Sequence, residues 1–116
     1  MKFLMIYASD PQAPPPTPEQ MRALGEYTTK MISSGVVKMT GGIVRPSKGT
    51  EVRLSGGKFS VTDGPFAETK ELIDGYAIVE VESREVAIEL SRQFMEIAGE
   101  GRGQLLRLFD PHEFPH

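Results

Sequence analysis

Asp63-Gly64-Pro65-Phe66-Ala67-Glu68-Thr69-Lys70-Glu71 joins two stretches whose structure can be read directly. Before it, Glu51-Val52-Arg53-Leu54-Ser55 and Lys58-Phe59-Ser60-Val61-Thr62 flank Gly56-Gly57. Two glycines between alternating runs specify a two-residue hairpin loop, because the favoured tight turns need positive φ at the central positions. That loop pairs Leu54 with Phe59 and Val52 with Val61 on one face. Arg53 then meets Ser60, and Glu51 meets Thr62, on the other face, so loop length and hydrophobic alternation agree on one register. After the stretch, Ile73 to Val81 reads as a strand with apolar residues on both sides. Tyr76 and Ile78 face one way; Ala77, Val79 and Val81 face the other. The stretch is therefore the corner between a hairpin spanning residues 50–62 and a strand covered on both faces.

Upstream, Phe3 to Tyr7 is apolar at every position, which again reads as a central strand: Phe3, Met5 and Tyr7 on one face, Leu4 and Ile6 on the other. Residues 10–16 are a stiff, polyproline-like connection, either a plain surface crossing or a rim over a pocket. Thr17-Pro18-Glu19-Gln20 is a helix start, with a Thr N-cap, Pro at the first helical position and Gln at the capping-box position. Met21, Leu24, Thr28, Met31 and Ile32 follow at helical spacing as the expected inward face, and Gly35 supplies a left-handed C-terminal residue. Val36 to Met39 is a second strand, broken by Gly41-Gly42 and resumed or bulged at Ile43-Val44. Downstream, Ser83 caps a second helix that carries Ala87, Leu90, Phe94 and Ile97 inward and ends at Gly99. Residues 99–103 read as a flexible glycine loop, Leu105 to Phe109 as the last strand, and Asp110-Pro111 as the start of an exposed tail.

The order is strand, helix, strand, hairpin, strand, helix, strand. It predicts an α+β fold, a ferredoxin-like split β-α-β repeat with an inserted β-hairpin, in which the first and third main strands are central. At 116 residues the whole chain, 1–116, is expected to be one domain. Two helices cover one face of such a sheet. The other face exposes several large side chains, each worth roughly 1.5–3 kcal/mol when buried. Summed over about five, that rivals the total stability of a domain, about 5–15 kcal/mol. A second copy covering the free face, in a symmetric homodimer, is the expected solution.

Composition removes several function classes. The chain is 39% hydrophobic and 25% charged, with a formal net charge of −3, so it lacks the basic footprint of a nucleic-acid binder. No apolar run approaches the roughly 18–20 residues that span a bilayer. The apolar run at the start is too short for a secretory signal of about 7–15 apolar residues. With no cysteine, thiol nucleophiles, disulfides and zinc–thiolate sites are absent, and the expected compartment is the cytoplasm. Residues 42–50 do not have the spacing of a phosphate-binding loop, and the glycines at 99–103 follow a helix where a dinucleotide fingerprint would precede one. No histidine–carboxylate set has metal-ligand spacing, so neither a metal nor a cofactor is expected.

The run Val61-Thr62-Asp63-Gly64-Pro65-Phe66-Ala67-Glu68-Thr69-Lys70-Glu71, set after a short hairpin and before a Gly-aromatic strand, resembles the YCII-related family in the branch named for its DGPF motif. The MKFLMIY opening, the capped helix, Ser34-Gly35-Val36-Val37 and Thr50-Glu51-Val52-Arg53-Leu54 extend the resemblance over nearly the whole chain. It implies a bacterial protein with a ferredoxin-like fold that dimerises sheet to sheet as a dimeric α/β barrel. Two departures stand out: Asp74-Gly75-Tyr76 replaces the usual Gly-Gly-aromatic, and the last strand runs Gln104 to Pro111 where relatives carry a Glu-Val-Arg-Pro-like segment. Some relatives carry a His–Asp pair in a cleft; His112 and His116, both in the tail, do not match it. Other members occur fused to, or encoded beside, sigma factors, which implies a regulatory partner as the alternative to a small-molecule site.

The acid of the motif, Asp63, has two readings. It is an Asx-type turn cap, with Gly64 and Pro65 setting the corner, or it stands at the mouth of a pocket as a base or ligand contact. An unperturbed Asp titrates near about 3.9, so base chemistry at neutral pH requires burial to raise it. Glu68, Thr69 and Lys70 line the same cleft or form a solvated loop, Phe66 beside them is a packing anchor or a ligand contact, and Tyr7 ends the first strand at the rim, its phenol either a donor to a substrate oxygen or a satisfied hydroxyl of the core. Arg45 and Arg53 are the cations that an anionic ligand would meet; otherwise they are surface charges. Binding alone and binding with catalysis rest on these same residues.

Overall fold

The computed structural model describes residues 1–10, 12–43, 49–64 and 73–113. Along the chain run β1 (Lys2–Ser9), α1 (Pro18–Ser33), β2 (Val37–Gly42), β3 (Thr50–Ser55), β4 (Lys58–Asp63), β5 (Gly75–Glu80), α2 (Arg84–Ala98) and β6 (Gly101–Arg107). Four strands form one antiparallel sheet in the order β2-β5-β1-β6, and β3-β4 form a second, two-stranded sheet. The class is α+β, and the strand order is that of a ferredoxin-like fold. β1 and β5, the strands with apolar residues on both sides, occupy the centre.

Both helices start where their caps dictate. Thr17 Oγ1 accepts from the Gln20 N–H at 3.1 Å while Gln20 Oε1 accepts from the Thr17 N–H at 2.8 Å, a complete capping box with Pro18 just inside it. Ser83 Oγ accepts from the Val86 N–H at 3.2 Å and opens α2. On the helix-facing side of the sheet, Phe3 and Val79 sit opposite one another, and Ala87 of α2 packs on them with no exposed surface. Val81 completes this core, and Met5, Ala77, Leu90 and Leu105 surround it half-buried.

Three expectations need correction. Ile32, expected on the inward face of α1, is 50% exposed and lies off it; the stripe that turns inward runs along Met21, Leu24, Tyr27, Thr28 and Met31, although Met21 itself is 62% exposed. Gly41-Gly42 do not break β2 but pair with Tyr76 and Gly75, and the irregularity falls between Val37 and Met39. A side chain at 41 would put its Cβ 3.0 Å from the Tyr76 ring, so glycine is what lets the ring lie against the neighbouring strand. Likewise Gly101 and Gly103 belong to β6, opposite Ser9 and Tyr7, so the connection after α2 is shorter than the expected loop.

The hairpin has the register read from sequence: Leu54 opposite Phe59, Val52 opposite Val61, Arg53 opposite Ser60. Gly56 and Gly57 both have positive φ, +59° and +78°, as a two-residue turn requires. Its apolar face is bare. Val52, Leu54, Phe59 and Val61 are 58–72% exposed, and every residue of both strands is exposed. The radius of gyration, 16.4 Å, exceeds the roughly 13–14 Å of a compact chain of this length, as expected of a sheet with a projecting hairpin. Among the described residues, no element packs over the second face of the main sheet either. Leu4, Ile6, Tyr76 and Ile78 alternate onto it, beside Met39 and Leu106 at 55% and 47% exposure.

After β6 the chain forms a short 3-10 turn, Pro111–Glu113, tied back by a bidentate pair from Arg107 to Glu113 at 2.8 and 2.9 Å. The Arg107 guanidinium holds the Glu113 carboxyl down at about 2, against an ordinary 4.5. A lowered folded-state pKa stabilises above the ordinary value and is lost as pH falls through the lowered one. We therefore expect the turn to hold above pH 4.5 and to release as pH drops toward 2. Side-chain NMR of Arg107 followed through that window checks this; a turn that releases only with the global unfolding transition contradicts it.

Candidate functional site

Beyond their paired residues the ends of the sheet converge. The Asp74 N–H donates to the Tyr7 carbonyl at 2.8 Å, the Ile43 N–H to the Asp74 carbonyl at 2.9 Å, and the Asp10 N–H to the Glu100 carbonyl at 3.0 Å. A cavity of about 690 Å³ lies at this end, between the sheet and the two helices. Its origin is in the sequence. On the helix-facing side Tyr7 is flanked across the sheet by Gly75 and Gly103, neither of which fills the space beside its ring. α1 has no fully buried residue, so Leu24, Tyr27, Thr28 and Met31 line a void where a tighter helix would close the core. Phe94 and Met95 of α2 and the Pro14-Pro15-Pro16 crossing complete the lining, so the proline stretch does border a pocket.

Most polar groups around the cavity are already engaged. The Tyr7 hydroxyl donates to the Gly99 carbonyl at 2.9 Å, and its ring meets Phe94 edge-on at 5.2 Å. The Tyr27 hydroxyl donates to the Leu90 carbonyl at 3.3 Å, and Thr40 Oγ1 to the Tyr76 carbonyl at 2.9 Å. Burial, and secondarily the Asp74 charge, raises the Tyr7 phenol above its ordinary value. Burial, with Glu89 second, does the same for Tyr27. Both phenols therefore stay protonated at neutral pH and act as donors that brace α2.

Asp74 is different. Its Oδ2 accepts from both the Ser9 N–H, at 2.5 Å, and the Ser9 hydroxyl, at 2.7 Å, which fixes the carboxylate at the head of β5. Among the described residues its Oδ1 accepts no hydrogen bond and no cation pairs with it. The charged residues lining the cavity are all acidic, Asp74, Asp10 and Glu100, with no Lys, Arg or His among the described ones. No group of three or more described His, Asp or Glu side chains is arranged to hold a metal ion. No described helix is long and apolar enough to cross a membrane.

The residues singled out from sequence are distributed unevenly. Tyr7 lines the cavity, with its hydroxyl engaged. Asp63 ends β4 on the exposed hairpin, where its Oδ1 accepts from Thr50 Oγ1 at 2.9 Å across the ladder, and it does not line the cavity. Phe66, Glu68, Thr69 and Lys70 lie outside the described residues, as do Arg45 and His116. Arg53 pairs with Glu51 on the hairpin's polar side, and His112 is exposed in the 3-10 turn. Sequence reasoning passed over Asp74, Ser9 and Tyr27. The signal for Asp74 was present: an acid stands where the resembling proteins carry glycine, at the head of a central strand.

A family profile described as YCII-related domain matches residues 1–99. An uncharacterised protein of Rhizobium meliloti (strain 1021) is 30% identical over 98 residues, covering 82% of this chain and 79% of that one.

Proposed function

The chain belongs to the YCII-related family, and from that premise we propose that it acts as a single-domain homodimer binding one small organic molecule per protomer in the cavity between sheet and helices. The observation that carries this reading is the cavity itself. About 690 Å³ falls within the roughly 300–1,000 Å³ of small-molecule sites, and a mostly apolar lining with a few polar groups, among them the Asp74 carboxylate anchored by Ser9, matches their make-up. Binding is the activity that the cavity supports; turnover would draw on Asp74, the lining carboxylate that Ser9 fixes in place.

The dimer reading rests on two bare β-surfaces, the free face of the main sheet and the apolar face of the hairpin. A stable dimer buries on the order of 800 Å² on each partner. Each chain offers both surfaces, so a two-fold pairing covers both in both copies. Lys2–Glu80 and Lys38–Glu80 ion pairs, at 3.9 and 3.7 Å, edge the sheet face as a polar rim edges an interface. The alternative, an interaction module for a sigma-factor-type partner, draws on the same hairpin face and prevails if that face stays free in the dimer.

Native mass spectrometry of protein purified from its own host tests the ligand reading. The expected result is a dimer carrying one small molecule per chain, released on denaturation. A ligand-free dimer whose melting no member of a metabolite panel shifts overturns it. For Asp63 we propose the role of hairpin clasp. Asp63→Asn keeps an acceptor for Thr50 and is expected to change stability by less than about 0.5 kcal/mol and ligand uptake not at all. Unchanged melting with lost uptake would instead make Asp63 a ligand contact.

A further inference from the structure

Resting on the cavity being a ligand site, we infer that its ligand is an organic amine, a cationic nitrogen on an apolar or aromatic body. The cavity's charge has one sign. Asp10, Asp74 and Glu100 line it and no described cation does, so an anionic ligand would be repelled and a neutral one would leave the Asp74 charge unanswered. Asp74 is also prepared for a donor. Ser9 holds one carboxylate oxygen through two hydrogen bonds, and the other takes none among the described residues. An ammonium group placed there forms a charge-assisted hydrogen bond, about twice as strong as a neutral one.

The remainder of the lining suits the rest of such a molecule. The Tyr7 and Phe94 rings, set edge to face, offer π-surface that attracts a cation and packs against an apolar body. Met31 and Met95 supply adaptable apolar contacts. The neighbouring hydroxyls of Tyr7, Tyr27 and Thr40 already donate to protein carbonyls, so they do not compete with the ligand's nitrogen as donors to Asp74.

The test holds the body constant and changes the head: 4-phenylbutylamine, 4-phenylbutanol and 4-phenylbutyrate, titrated calorimetrically into the full chain at neutral pH. The amine is expected to bind at least roughly tenfold more tightly than the alcohol, and the acid weakest of the three. Asp74→Asn keeps an acceptor for Ser9 and should bring amine and alcohol to equal affinity. Thr28→Trp, which fills the cavity from α1, should abolish binding of all three. Equal affinities in the wild type, lost together in Thr28→Trp, overturn the amine inference and leave the cavity reading standing. Binding that survives Thr28→Trp, or no binding by any probe, overturns both. A preference for the amine that survives Asp74→Asn also overturns the inference.

Discussion

Leu54→Ser/Phe59→Ser is expected to turn a dimer into a monomer while leaving the protomer folded. Both side chains are largely exposed in the single chain, at 72% and 63%, so replacing them removes little burial there. The local cost is the loss of one cross-strand pair, about 0.2–1 kcal/mol. In the proposed dimer the same two side chains are covered, each worth roughly 1.5–3 kcal/mol. Symmetry doubles the loss: four side chains, about 6–12 kcal/mol at most, leave the interface together. At 1.4 kcal/mol per decade, even the lower figure weakens association by roughly 10⁴-fold. Sedimentation across a concentration series reads the association, and far-ultraviolet circular dichroism with thermal melting reads the fold. An unchanged dimer means that the sheet face suffices and the hairpin serves another partner. A wild-type monomer at micromolar concentration removes the dimer altogether.

The hairpin was legible to the residue because two independent signals, a two-glycine loop and a period of two, fix the same register. The helix starts were equally plain, since a capping box is a local interaction within four residues. The glycines were not. Gly41-Gly42 and the pair Gly101 and Gly103 read as breaks because glycine is a poor strand former. All four are nonetheless strand residues, and two of them are required by what lies opposite: the Tyr76 ring at Gly41, the β1 backbone at Gly101. That crowding is set by strand pairing and cannot be read from neighbours in sequence. The same holds for the site. Asp63 stands out in the sequence because acids cluster around it locally, whereas Asp74, a carboxylate that does line the cavity, meets its partner Ser9 across 65 positions. In α1 the spacing identified an amphipathic helix, but the width of its buried stripe depends on how far the helix stands from the sheet. Ile32 falls outside it for that reason.

Gly101→Ala is the single substitution expected to damage fold and site together. A Cβ at that position would sit 2.3 Å from the Ala8 carbonyl oxygen, 3.0 Å from the Ser9 Cα and 3.1 Å from the Tyr7 ring. Two of these are backbone contacts, so no rotamer change relieves them, and β1 must separate from β6 where Ser9 faces Gly101. Forced overpacking of this kind costs about 1–3 kcal/mol, and the rigidity of the contact puts the expectation at the upper end, near 3 kcal/mol. For a domain of this size that lowers the melting temperature by roughly 8–12 °C. The displaced residues are those that shape the cavity. Ser9 anchors Asp74, Tyr7 holds the Gly99 carbonyl, and Asp10 holds the Glu100 carbonyl. Ligand affinity should therefore fall further than the loss of folded protein accounts for. Gly25→Ala supplies the contrast. It lies inside α1, nothing stands within 4 Å of its added methyl, and alanine in a helix interior gains roughly 0.5–1 kcal/mol over glycine. Melting curves of the two variants should move in opposite directions, and only Gly101→Ala should weaken binding measured well below its melting point. If Gly101→Ala melts with the wild type, the β1–β6 register at Ser9 is wrong, and with it the placement of the Asp74 anchor.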